Sequence, residues 1–398
     1  GLSFLDYEKT KTDFGLVCTS PLLSGAKIDV NAQTVISAGD KATGGYDIKY
    51  GGCDPWHETA DSDYLIGLLK QQPHTVTDSA SSATSMASGI KTYNAAIGVA
   101  VDGTHTYSIA RELQQQRQFK IGIVTSVPVS HATPGAVYAN NVTRKDYQDI
   151  SRDLIGLPSS SHRRNPLPGV DVLIGGGWGQ KKETDELQGD NFMQGNPYLH
   201  DEDLKKADVR NGGRYLISQR TPGKSGRKNL LADARKAAKQ GHRLLGFYGA
   251  VAGHLPFQTA DGGFNPTVDI KGTEKYSAAD IAENPNLADM TEATLLTLEN
   301  ADKGFWLLIE AGDVDWANHS NNIDNSIGAV LSGAAAFKTL TRWIEKHDAW
   351  DETAVIVTSD HGHYLVIQDD NVIANAGREM NQRKSTTKKQ VDVKNRSK

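Results

Sequence analysis

The segment FWLLIEAGDVDWANHSN, residues Phe305–Asn321, carries the strongest fold signal in the chain. It opens with an apolar run, Phe305–Ile309, and then changes abruptly to acids and a histidine. A short run that is apolar on both faces is typical of a central parallel strand, which helices cover from both sides. Because ligands of such sheets gather at the carboxyl ends of strands, the polar residues after Ile309 are candidates for a functional site.

The same strand pattern recurs along the chain and alternates with helical patterns. The other strand-like runs are Lys120–Thr125, Val170–Ile174, Arg243–Phe247 and Ala354–Thr358. The segments with helical periodicity are Ser108–Gln116, Asn229–Lys239, Met290–Ala301 and Ile323–Lys346. This alternation predicts an α/β fold, a doubly wound and mostly parallel sheet with helices on both faces.

Composition limits the kind of protein. The 398 residues are 38% hydrophobic and 23% charged, with a formal net charge of −5, which is typical of a soluble globular chain and argues against a specific nucleic-acid binder. The sequence contains no run of about 18 apolar residues, so it predicts no membrane-spanning helix. We expect one domain over residues 1–377, with insertions at about 24–64 and 176–226, and a basic flexible tail at 378–398. Cys18 and Cys53 are equally ordinary as a disulfide or as free thiols.

Polar residues follow three of the predicted strands. They are carboxylates, imidazoles and a hydroxyl: Glu310, Asp313, Asp315 and His319 after one strand, Asp360, His361 and His363 after another, and His131 and Thr133 after the third. Such acids would repel one another without a cation between them. Asp315 and His319 are four residues apart, so on a helix they share one face, as metal ligands must. The histidine–carboxylate mixture suits zinc, and Glu310 with a threonine suits magnesium. A solvated acidic loop is the alternative interpretation.

A second signal is the segment Asp78-Ser79-Ala80, where small residues continue to Gly89. This pattern predicts a helix with Ser79 in its first turn. The positive N-terminus of a helix favours both an alkoxide at Ser79 and an anionic substrate beside it. The alternative is that Asp78 or Ser79 is an ordinary N-cap.

Four blocks of the sequence together resemble the alkaline phosphatase family, in the order in which that family carries them. They are TVTDSASSATSMASGIKTYNAAIGV (Thr75–Val99), SHATPGAVYANNVTR (Ser130–Arg144), FWLLIEAGDVDWANHSN (Phe305–Asn321) and TAVIVTSDHGH (Thr353–His363). The resemblance implies a bacterial-type phosphomonoesterase with two zinc ions, one magnesium ion and a phosphoserine intermediate. It also implies a broad range of small phosphate monoesters and a periplasmic or secreted location, and it is compatible with a homodimer.

The resemblance also assigns residues. Ser79 would be the nucleophile, and Arg144 would hold two phosphate oxygens with its planar fork; Asp78 is counted with Arg144 among the substrate-binding residues. The metal ligands would be Asp315 and His319 for the first zinc, Asp360, His361 and Ser79 for the second zinc, and Thr133 and Glu310 for magnesium. His363 would orient a zinc carboxylate. His131 and Trp316 stand where members of the family vary, and we expect them to change magnesium affinity and phosphate release.

Two ligands of the family have no counterpart in the sequence. One is an aspartate in an early strand, which would precede Gly1, and the other is a histidine beyond His363. We therefore expect a chain that is truncated at both ends, with weak or no activity of its own.

Three alternatives stay open from the sequence. Another enzyme of the same metal-dependent superfamily, such as a phosphodiesterase or a sulfatase-like protein, would share the metal core. A crippled metal- or phosphate-binding fragment would explain the missing ligands. A dinucleotide enzyme is suggested by Gly175-Gly176-Gly177, but Gln180 replaces the last glycine of that fingerprint.

Overall fold

A computed structural model describes residues 11, 19–38, 44–47, 77–267, 274–363 and 375. The chain divides into two compact units, Gly1–Gly362 and His363–Lys398, and only His363 and Asn375 of the second are described. The predictions about the residues before and at Gly1, about Cys18 and Cys53 and about the tail at 378–398 lie outside the described residues.

The elements of the first unit are given in chain order. The strands are β1 (Lys27–Asp29), β2 (Thr34–Ile36), β3 (Lys120–Pro128), β4 (Val172–Gly176), β5 (Tyr215–Gln219), β6 (Arg243–Phe247) and β7 (Phe305–Glu310). The helices are α1 (Ser79–Ser88), α2 (Ile109–Arg117), α3 (Ala132–Ala136), α4 (Tyr147–Ile155), α5 (Asp201–Ala207), α6 (Gly226–Gln240), α7 (Ala278–Glu283), α8 (Leu287–Leu298), α9 (Asp313–His319) and α10 (Ile323–Lys346).

The central sheet has five parallel strands in the order β5-β6-β4-β3-β7. Side chains alternate between its two faces. Ile121 and Ile123 of β3 pack in a core with α1 to α4, whereas Val124 joins the opposite core with α6 and α8. Because both faces are covered, the inner strands are mainly apolar on both faces, as an α/β fold requires. The predicted fold class is confirmed.

The region 24–64 was expected to be an irregular insertion, but its described part contains an antiparallel hairpin, β1 with β2. The turn between them is held by Asp29, whose carboxylate accepts hydrogen bonds from the backbone N–H groups of Asn31 and Ala32. Ile28 and Val35 pack against a small buried cluster around Tyr93. The strands are only three residues long, too short for a clear alternating pattern.

Two further differences concern strands. The stretch 176–226 contains β5, an edge strand of the central sheet, which the sequence pattern did not reveal. The strand predicted at Ala354–Thr358 is wrong: this segment pairs with no strand in the described part of the chain, and Ile356 is 86% exposed. A parallel strand needs a paired neighbour and a covered face. Among the described residues, β7 pairs only with β3, so this segment has neither.

The four other predicted strands and the four predicted helices are present, with ends shifted by no more than a few residues. Within the described ranges, no helix combines the length and the apolarity that crossing a bilayer requires.

Candidate active site

The candidate site lies at the carboxyl ends of β3 and β7, where the strand order changes direction. From β3 the chain continues to β4 on one side, and it returns to the other side only with β7. Such a switch point opens a crevice between the loops that leave neighbouring strands. The residues that follow β3 and β7 are the ones that the sequence singled out.

Helix α1 presents Ser79 at its first turn. Asp78 is the N-cap: its Oδ1 accepts hydrogen bonds from Ser81 N at 3.0 Å and from Ser81 Oγ at 2.6 Å. Ser79 is 8% exposed and is the first residue of the helix. Ser79 therefore has the helix N-terminus behind it, where a developing negative charge is stabilised. The N-cap interpretation and the nucleophile interpretation are compatible, because they fall on neighbouring residues.

The Ser79 hydroxyl meets an imidazole across the site. His361 Nε2 lies 3.0 Å from Ser79 Oγ. The other ring nitrogen, Nδ1, is 3.0 Å from the backbone carbonyl oxygen of Gly362. A carbonyl can only accept, so Nδ1 carries the proton in the neutral ring and the Nε2 lone pair faces Ser79. That lone pair can accept the hydroxyl proton or bind a metal ion.

Two carboxylates approach the same nitrogen. His361 Nε2 is 3.6 Å from Asp315 Oδ1 and 3.5 Å from Asp360 Oδ2. On α9, His319 Nε2 is 3.4 Å from Asp315 Oδ1, so the predicted i,i+4 pair shares one helix face. Two donor atoms on one tetrahedral zinc ion lie about 3.3 Å apart, given bonds of about 2.0 to 2.1 Å. The spacings in this cluster are therefore those of atoms that can share a cation.

Asp360 offers a second observation of the same kind. Its Oδ2 is buried and makes no hydrogen bond to any described residue. A buried carboxylate oxygen without such a bond is costly, because it loses its hydration without compensation. A cation beside Asp360 would remove this cost.

Glu310 ends β7 and lies opposite Thr125 of β3 in the strand register. Thr125 Oγ1 donates to Glu310 Oε2 at 2.5 Å. Burial raises the pKa of Glu310 to about 7; hydrogen bonds from Thr125 and Thr133 oppose this rise, and the charges of Asp360 and Asp315 add to it. Glu310 and Thr133 are thus brought together, as a shared ion would need.

Arg144 is held beside helix α1. Its Nη1 donates to Asp78 Oδ2 at 3.0 Å, and its backbone N–H donates to Ala95 O at 2.7 Å. Burial alone would raise the pKa of Asp78, but the Arg144 charge and hydrogen bonds from Ser81 and Ala95 lower it below its usual value. Asp78 is therefore ionised and fixes the guanidinium. In the described part of the chain the Arg144 side chain bonds only to Asp78, so most of its N–H groups are available to an anion.

Helix α9 is tied to β3 by Asp313, a residue to which the sequence pattern assigned no individual role. Asp313 Oδ1 accepts a hydrogen bond from Ser126 Oγ at 2.7 Å, and the Asp313 N–H donates back to Ser126 Oγ at 3.1 Å. This double contact sets the start of α9, and with it the direction of Asp315. Ser126 comes directly after the predicted strand Lys120–Thr125, so its position at a strand end was the available signal.

His131 and Trp316 contact each other edge to face beside the site, with ring centroids 5.4 Å apart, and their predicted effects on magnesium affinity and phosphate release stay predictions. Burial, with the charges of Arg144 and Lys145, lowers the pKa of His131 to about 3. His131 is therefore neutral at physiological pH. His363 begins the second unit, so its predicted role stays a prediction.

Comparison with known proteins gives one consistent result. A model of the alkaline phosphatase family matches residues 53–393. Alkaline phosphatase 4 of Bacillus subtilis (strain 168) is 27% identical, and the aligned region covers 75% of this chain and 52% of that protein. Alkaline phosphatase 3 of the same organism is 28% identical, with 78% and 56% covered.

Among solved structures, a cold-active alkaline phosphatase from a psychrophilic Shewanella sp. is similar, with 25% identity and a TM-score of 0.45. The aligned region covers 68% of this chain and 52% of that one. The chain spans about half the length of the curated relatives that it matches.

Proposed function

Because the chain belongs to the alkaline phosphatase family, we propose that it hydrolyses phosphate monoesters through a phosphoserine at Ser79. The observation that carries this proposal is the contact of Ser79 Oγ with His361 Nε2 at 3.0 Å. The carboxylates of Asp315 and Asp360 lie within 3.6 Å of the same nitrogen. A hydroxyl at a helix N-terminus, beside a cation-binding cluster and an arginine, is suited to phosphoryl transfer.

We further propose that the site takes two zinc ions and one magnesium ion. The donor set fits: the spacings around His361 suit a shared cation, and the Asp360 Oδ2 atom has no hydrogen bond to a described residue. The proposed ligands are Asp315 and His319 for one zinc, Asp360, His361 and Ser79 for the other, and Glu310 and Thr133 for magnesium. When bound, these ions neutralise the attacking and leaving oxygens of an in-line displacement.

The residues of the chain divide the reaction into two displacements. Arg144 binds two phosphate oxygens and so sets the phosphorus in line with Ser79. Ser79 Oγ then attacks phosphorus and the ester P–O bond breaks; the proton of Ser79 Oγ passes to solvent, and the departing alkoxide takes one proton from solvent and leaves as the alcohol. Water attacks the phosphoserine in the second step, which releases inorganic phosphate and restores the hydroxyl. The α1 N-terminus stabilises negative charge at Ser79 in both steps.

Hydrolysis of p-nitrophenyl phosphate tests this proposal. We expect turnover that is lost on treatment with a chelator and restored by zinc, with magnesium raising it further. Ser79→Ala should abolish turnover. Ser85→Ala is the matched control, because Ser85 lies on the same helix and, among the described residues, its hydroxyl donates only to Ser81 O.

The alternatives give different results in this assay. Binding of zinc and phosphate without any turnover would support a non-catalytic metal- and phosphate-binding protein. Faster hydrolysis of bis(p-nitrophenyl) phosphate or of p-nitrophenyl sulfate would support another branch of the superfamily. A periplasmic or secreted location and a homodimer follow only from the family, and they are proposals as well.

A further inference from the structure

Four partly exposed aromatic side chains form a continuous row beside the site: Trp316, His131, Tyr147 and Tyr198, here named the aromatic rim. The His131 ring is 5.4 Å from the Trp316 ring and 6.1 Å from the Tyr147 ring, with the latter pair nearly parallel. The Tyr147 and Tyr198 rings meet edge to face at 5.1 Å. The rim joins segments that are far apart in the sequence.

The aromatic rim adjoins the groups that would bind the phosphate. Trp316 directly follows Asp315 on α9, and Tyr147 begins α4 three residues after Arg144. The Arg144 charge acts on the pKa of Tyr147, although burial is the larger effect. A monoester held by Arg144 would therefore have the rim next to its organic group.

The Trp316 end of the rim is held rigidly. His254 is 1% exposed, stacks on Phe257 with ring centroids 3.9 Å apart, and meets the Trp316 ring edge to face at 5.2 Å. Glu274 fixes His254 from the other side, with its Oε1 2.9 Å from His254 Nε2. A ring that is already ordered binds a ligand at little cost in conformational entropy.

The tyrosine rings of the rim are also uncharged. Burial raises the pKa of Tyr147 and raises that of Tyr198 to about 12. At neutral pH the rim therefore presents neutral π surfaces and edges. Such surfaces suit another planar ring better than an aliphatic group of similar size.

We propose that the aromatic rim binds the organic group of the substrate and selects monoesters whose organic group is a planar aromatic ring. This inference rests on the proposed phosphatase function and adds its substrate class. If the site bound its substrate only through metal ions and Arg144, it would hold the phosphate group and little of the ester's organic group. The rim supplies a contact that an alkyl ester cannot make.

The test uses the metal-loaded chain and two phosphonates, phenylphosphonate and cyclohexylphosphonate. Both carry the same anionic group and a six-membered ring, and their C–P bonds exclude any effect of leaving-group chemistry. Titration calorimetry should show about fivefold to tenfold tighter binding of the phenyl compound, the range that one good aromatic contact supplies. Equal affinity for the two compounds, together with equal turnover of the two esters in the second arm below, would overturn the proposal.

Variants locate the preference. Tyr147→Leu and Tyr198→Leu should bring the affinity ratio close to one, whereas Tyr147→Phe should keep it. Tyr107→Leu is the control, because Tyr107 is 40% exposed and packs on Arg111 of α2, outside the rim. A ratio that is unchanged in both leucine variants would overturn the assignment to the rim.

A second arm separates simple aryl groups from nucleobases. Adenosine 5′-monophosphate and ribose 5-phosphate share the same ester bond, so a higher kcat/KM for the former reports contact with the base. A preference in either arm supports the rim. The arm that shows the preference tells whether the rim contacts a simple aryl group or the more distant base of a nucleotide. Turnover without a preference in either arm would overturn the rim and leave the phosphatase proposal intact, whereas no turnover and no phosphonate binding would contradict both.

Discussion

Replacement of Asp78 by alanine should destabilise the protein far more than the loss of an ordinary helix cap. The carboxylate accepts four hydrogen bonds with distinct purposes. Oδ1 accepts two from Ser81 at the start of α1, and Oδ2 accepts one from Ala95 N at 2.9 Å and one from Arg144 Nη1 at 3.0 Å. One side chain thus joins helix α1, the loop that follows it and Arg144.

The magnitude can be worked from these contacts. Loss of an N-cap side chain costs about 1 kcal/mol. The Ala95 N–H, left without its acceptor, costs about 1 to 2 kcal/mol. The Arg144 pair adds about 0.5 kcal/mol, because both side chains are close to one-fifth exposed and solvent screens the pair. We expect Asp78→Ala to lower the free energy of unfolding by about 3 kcal/mol.

Urea unfolding, followed by far-ultraviolet circular dichroism, measures this loss. The matched control is Ser108→Ala, which removes the cap of α2, where the serine Oγ accepts a single backbone hydrogen bond from Arg111 N at 3.4 Å. We expect about 1 kcal/mol for the control. If the two variants lose the same stability, the Ala95 and Arg144 contacts contribute nothing and the reasoning is refuted.

Two further predictions concern stability. Gly98→Ala should lower the free energy of unfolding by more than about 3 kcal/mol, because Gly98 has φ +57° and a Cβ there would lie 2.1 Å from Ala139 O. Gly89→Ala is the control: Gly89 has φ +71° but open space around it, so the loss should be only about 1 kcal/mol. Equal losses of the two variants in thermal unfolding would contradict this. Burial raises the pKa of Asp146 in the folded protein well above 3.8. As pH rises above about 4, the unfolded chain therefore loses this proton before the folded protein does, and the unfolded state becomes more favoured. Asp146→Asn should therefore gain stability over the native chain as pH rises above about 4, and a difference that does not change with pH would refute this.

The central sheet could be predicted because its strands are buried on both faces. Apolar runs such as Arg243–Phe247 have no alternative to burial, so their composition indicates a strand directly. Tyr215–Gln219 could not be found in this way, since an edge strand tolerates Ser218 and Gln219 within a polar stretch. The prediction of a strand at Ala354–Thr358 was wrong because apolar composition favours burial but does not supply a neighbouring strand to pair with.

The site was predictable in its residue types but not in its contacts. The position after a strand end and the i,i+4 spacing were enough to predict that Asp315 and His319 lie together. Ser79 and His361 are 282 positions apart in the sequence. Their contact depends on how the start of α1 and the segment around His361 are placed relative to each other in the fold. The same holds for the link from Asp78 to Arg144 and for the pairing of Tyr147 with Tyr198, which no local pattern encodes.

The most direct test of the account is the covalent state of Ser79 during turnover. The metal-loaded chain would be incubated with p-nitrophenyl phosphate, quenched in acid, digested and analysed by peptide mass spectrometry. The account predicts one phosphoryl group on the peptide that contains Ser79, which is absent after treatment with a chelator and absent from Ser79→Ala. Turnover with no phosphoryl group on Ser79, or turnover that persists in Ser79→Ala, would contradict it.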